Sequence, residues 1–248
     1  MSQSVYLPIK LNDTLRNKKV GVFISDHVDL AADINFIVYF HGHIISGCKT
    51  EEAPFLAKGI EYYWGTPFFK CLRDELDASK ASAVLVAPTL DKKMSENRGE
   101  ATYGNLDANG KFDFLIDETL TRLKGSQALP ANARAGKIIL AGHSAGGLPM
   151  LRILEATNSL KPNIAECWGF ECLYWPTGGW KAWLDANPNK RFRHFRQPGE
   201  QSARINQLKG RANFIDVANG ASHCTLVKEK WREAIDNSGT LRPTDAIA

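Results

Sequence analysis

The 248-residue sequence predicts an α/β fold with a mostly parallel central sheet and helices on both faces. Two observations carry that prediction. Apolar, β-branched runs recur along the chain and alternate with segments of helical periodicity. The runs beginning near residues 35, 82 and 137 are apolar throughout, the composition of strands covered on both faces. No repeat, low-complexity segment or Pro/Gly/Ser-rich linker divides the chain, so a single domain over 1–248 is expected.

SVYLPIKL and KKVGVFISD read as an opening pair of strands. NFIVYF, bounded by Asp33 and Gly42, is the next strand, and a helical region follows that ends in FKCLRDELDAS. SAVLVAP is a buried-strand run, and FDFLIDETLTRL has apolar residues at helical spacing. GKIILAG is a strand that turns sharply into SAGGLPMLRILEATNS, a helix. IAECWGFECLYW, RFRHFR and NFIDV supply later strands. GWKAWLDAN, EQSARINQLKG and TLVKEKWREAID are the helices between and after them. Parallel sheets of this kind place their sites at the carboxyl ends of strands, so chemistry is expected just after the apolar runs.

Composition narrows the class. Apolar residues make up 44% and charged residues 23%, which argues against disorder. A net charge of +4 is too mild to imply nucleic acid. The first residues do not read as a signal peptide, and no run reaches the length of a membrane span. Five scattered cysteines suggest free thiols in a reducing compartment, so a cytoplasmic location is expected.

The stretch LAGHSAGG, residues 140–147, holds Gly142, Ser144 and Gly146 in a G-x-S-x-G pattern between a strand and a helix. A sharp strand-to-helix turn strains the serine and lifts its oxygen above the sheet. The flanking glycines leave room for that turn. The helix N-terminus beside it favours developing negative charge. A glycine-rich strand–helix turn with a bystander serine is the alternative, and the strand before and helix after favour a nucleophile.

On these motifs the chain resembles the α/β-hydrolase superfamily, over nearly its whole length in element order and over about three short motifs in detail. The resemblance implies a Ser-His-acid triad with Ser144 as nucleophile. His223, in NGASHCTLV after the last strand, stands where the superfamily places its base. His27 and His194 sit in a polar turn and in mid-strand, and the side chain of His143 is expected to point away from the serine's. The acid stays open. Glu171 ends the sixth strand in GFECLYW, as in some related hydrolases. Glu200, in RQPGEQS, occupies the superfamily's more usual place after the seventh strand, and Asp216 in NFIDV requires that strand to end early.

FHGH at 40–43 resembles hydrolase H-G-x motifs, which implies an oxyanion hole from the backbone N–H groups of His43 and Ala145. A metal held by His41 and His43 is the competing idea, but no third ligand is visible nearby, so no metal site is expected. The chemistry needs no metal or organic cofactor. No large lid domain is expected, because residues 172–190 are too few.

Aromatics in 44–69 (Tyr62, Tyr63, Trp64, Phe68, Phe69) and Trp175, Trp180 and Trp183 can wall a site for an acyl or aryl group or pack helices on the sheet. Another loop, TLDKKMSENRGEATYGNL, also leaves a strand end and can border the site. A basic stretch from Lys181 to Arg211 suits either an anionic partner or a solvated face. The expected function is a carboxylic ester hydrolase acting on a small-molecule or acyl ester, with no nucleic acid, no membrane span and no assigned oligomeric state. An amidase or acyltransferase with the same triad, and a non-catalytic binding protein on this fold, are the alternatives.

Overall fold

The computed structural model describes residues 2–9, 20–42, 64, 67–88, 106, 108–199 and 202–241. Eight strands form one sheet: β1 (Gln3–Leu7), β2 (Val20–Ile24), β3 (Ile34–Phe40), β4 (Val84–Pro88), β5 (Ala135–His143), β6 (Ile164–Phe170), β7 (Arg191–Arg196) and β8 (Phe214–Ala218). Their order is β1-β2-β4-β3-β5-β6-β7-β8. β2 runs antiparallel to both β1 and β4, and every other pairing is parallel.

Among the described residues the helices are α1 (Pro67–Ala78), α2 (Lys111–Gly125), α3 (Gly147–Glu155), α4 (Gly178–Ala186), α5 (Ser202–Leu208) and α6 (Leu226–Asp236). They divide between the two faces. In β3, Phe36, Val38 and Phe40 face the layer of α2, α3, α4 and α5, while Ile37 and Tyr39 face α1 and α6. Both sides are therefore apolar, which is why these strands read as continuous hydrophobic runs. On the second face Trp231 is fully buried, meeting the rings of Tyr39, Trp168 and Phe170 at 5.6, 5.7 and 6.0 Å. Its indole N–H donates to the Leu72 carbonyl at 3.0 Å, fastening α6 to α1.

Two open alternatives narrow here and one expectation changes. Trp180 and Trp183 are buried, and Trp180 stacks on Phe192 at 4.5 Å, so both pack α4 against the sheet rather than wall a site. Three cations of the basic stretch are engaged structurally. Arg196 grips Asp216 through two 2.9 Å bonds, Arg211 binds Asp185, and Lys190 donates to the Pro162 carbonyl. Cys71, Cys167 and Cys172 are free, but Cys224 is disulfide-bonded, which corrects the expectation of free thiols throughout.

Candidate active site

Three strand ends and one loop converge. β5 delivers His143 and Ser144, β6 delivers Glu171, β3 delivers His41 and Gly42, and the loop after β8 delivers His223. Ser144 opens a single 3-10 turn, Ser144–Gly146, that leads into α3. Its φ is 53°, in the left-handed region that a β-carbon disfavours by about 1–2 kcal/mol. The surrounding glycines explain how the turn closes. A β-carbon on Gly146 would run into the Phe40 carbonyl, and one on Gly142 would meet the Met150 sulfur and the Gly146 carbonyl. A β-carbon on Gly42 would stand 2.8 Å from that of Ser144, so the end of β3 lies directly against the serine.

Glu171, also left-handed at φ 47°, turns the chain away at the end of β6. Its side chain is wholly buried. One carboxylate oxygen accepts the Nδ1–H of His223 at 2.5 Å, and the other accepts the backbone N–H of Gln197 at 3.3 Å. A charge-assisted bond of this length to a buried carboxylate fixes the ring's orientation and its tautomer. Of the three acids open from the sequence, Glu171 is the one against His223. Asp216 lies within β8, bonded to Arg196, and Glu200 falls outside the described residues. His43 is also outside them, whereas Ala145 is buried in the turn after Ser144.

His143, whose side chain the sequence places away from the serine's, meets the histidine loop. Its Nε2–H donates to the His223 carbonyl at 2.9 Å, and the two rings lie 4.6 Å apart. Burial, reinforced by His223, pushes His143 down to about 3, so it works as a neutral donor. A polar residue adjoining the serine in a buried turn is the signal that could have found it. Tyr174 was also missed. It is 40% exposed, its ring stands 6.4 Å from that of His223 and 6.1 Å from that of Trp175, and it follows Glu171 by three residues. His41 Nδ1–H donates to the Gly42 carbonyl at 2.8 Å. Among the described residues, no group of three His, Cys, Asp or Glu is arranged to hold a metal. No described helix is long and apolar enough to cross a membrane.

An eight-stranded sheet with β2 reversed, a serine on the turn after β5 and a histidine after β8 is the α/β-hydrolase fold. Solved structures share it. A feruloyl esterase module from Clostridium thermocellum aligns at TM-score 0.57 and 13% identity, over 94% of this chain and 86% of that one. A poly(3-hydroxybutyrate) depolymerase from Bordetella parapertussis aligns at 0.56 and 13%, over 99% and 92%. An esterase from Thermogutta terrifontis, determined with butyrate bound, aligns at 0.54 and 15%, over 97% and 96%. No protein-family model and no curated protein matches the sequence.

Proposed function

We propose that the protein is a serine hydrolase that cleaves carboxylic esters through an acyl-enzyme. The observation that carries this is the 2.5 Å bond between His223 and the buried Glu171, next to a serine on a strained turn. A hydroxyl needs a base to become a nucleophile, and a base needs an orienting partner. With Nδ1–H committed to Glu171, Nε2 of His223 is the atom left to take the Ser144 proton. Ser144 Oγ then attacks the ester carbonyl, and the backbone N–H groups of Ala145 and His43 receive the oxyanion. Each such donor contributes about 3 kcal/mol to transition-state stabilisation. His223 returns the proton to the departing alcohol. Water, deprotonated by the same ring, releases the acid.

Esterases among the structural neighbours support an ester substrate. Tyr174 beside His223, with Trp175 against it, supplies an apolar wall for an acyl or aryl group. The test is labelling by a fluorophosphonate, wild type beside Ser144→Ala, with the modified peptide mapped. Labelling on Ser144 that disappears in the variant is the expected result. An unlabelled but folded wild type would instead favour a binding protein on this fold.

A further inference from the structure

Glu171 holds a left-handed backbone without being glycine, and such a residue stays there only when its surroundings over-determine it. Those surroundings come from the end of β7. The Glu171 N–H donates to the Phe195 carbonyl at 2.8 Å, and the Gln197 N–H donates to the Glu171 carboxylate at 3.3 Å. The third bond comes from a side chain. The N–H of Cys172, the next residue of the turn, donates to Nε2 of His194 at 3.3 Å.

His194 is completely buried, as is Cys172. A ring nitrogen accepts a hydrogen bond only when it carries no proton, so His194 must be neutral with its proton on Nδ1. Asp216 supplies the reason for that tautomer. Its carboxylate, held in place by Arg196, lies 3.9 Å from Nδ1, too far for a hydrogen bond but close enough to favour N–H on that side. A buried His194, faced by the half-buried Asp216, thus stands behind the glutamate that holds His223. Without the ring nitrogen, the Cys172 N–H has no acceptor in a buried turn, which is costly.

We propose that His194 is a positioning residue that keeps the Glu171 turn in register with His223, an inference that rests on Glu171 being the triad acid. It touches neither substrate nor the reacting atoms. It acts through the backbone of Cys172.

The tautomer is tested in the unaltered protein. Side-chain nitrogen NMR is expected to find His194 protonated at Nδ1 and bare at Nε2, and protonation at Nε2 overturns the proposal. His194→Phe keeps the ring volume and removes the acceptor, whereas His194→Gln restores an acceptor for the Cys172 N–H. In the Phe variant, kcat for a short-chain aryl ester is expected to fall about tenfold, the size of one lost hydrogen bond, with KM unchanged. The Gln variant should recover to within about threefold of wild type. The low-field N–H proton of His223 should weaken in the Phe variant and return in the Gln variant, whether or not any ester is cleaved. Unchanged kcat and an unchanged proton in a folded Phe variant overturn the proposal. If that variant fails to fold, the tautomer decides. A proton that follows this pattern in a protein without Ser144-dependent ester cleavage would refute the hydrolase reading and leave the positioning role standing.

Discussion

His143 and His223 are joined side chain to main chain: the imidazole N–H beside the serine donates to the carbonyl of the distant loop histidine at 2.9 Å. The strand end that carries Ser144 therefore also holds the loop that carries His223. His143→Phe keeps the ring and deletes the donor. Steady-state kinetics on an aryl ester should show kcat reduced about fivefold to tenfold with KM unchanged, in line with one hydrogen bond. Unaltered kcat would mean that the loop is held by other means.

Buried neutral histidines also give the fold a pH dependence of a definite sign. Burial lowers His143, to about 3, and burial lowers His194 as well. The unfolded chain binds these protons more readily than the native one below the ordinary histidine value of about 6.5. Their contribution to stability is complete above that pH and is lost as pH falls toward 3. Urea denaturation at pH 7 and pH 4.5 should show a lower unfolding free energy at the acid end. His143→Phe should reduce that difference, and an unchanged difference would contradict the assignment.

The acid can be tested by paired variants. Glu171→Gln should lower kcat by about 10⁴, the effect of losing the orienting carboxylate in triads, while leaving the protein folded. Glu200→Gln should leave turnover near wild type. The reverse outcome, read from kcat and circular dichroism, would move the triad acid to Glu200.

The disulfide-bonded Cys224 immediately follows His223, so it restrains that residue through the backbone. Cys224→Ser, or treatment with a phosphine reductant, should lower kcat more than it changes KM, because the ring loses a tether and not a substrate contact. Equal kcat with and without reductant would show that the Glu171 and His143 contacts suffice.

How much of this was legible before folding depends on the range of the signal. Strands β3, β4 and β5 were readable because burial on two faces leaves an uninterrupted apolar run. Ser144 was readable because close backbone approach demands glycine nearby, at Gly142 and Gly146. Glu171 emerged from the sequence only by resemblance, since its left-handed turn and its bond to His223, 52 residues away, are products of the sheet. His143 was passed over because its partner is a carbonyl 80 residues distant. Trp180 and Trp183 look alike whether they wall a pocket or fill a core, and packing decided for the core. The pairing of Arg196 is not legible within the basic stretch because its partner, Asp216, lies beyond it on β8.

Ser144 and Glu171 share a backbone conformation that glycine would adopt without strain, on the ends of two neighbouring strands. Selection for a durable fold alone would favour glycine at both places. Under the proposed function, each keeps its side chain because the chemistry needs it, an exchange of robustness for reactivity. If that function holds, a library ranked by melting temperature alone should drift toward glycine at these two positions and lose ester cleavage as it does so.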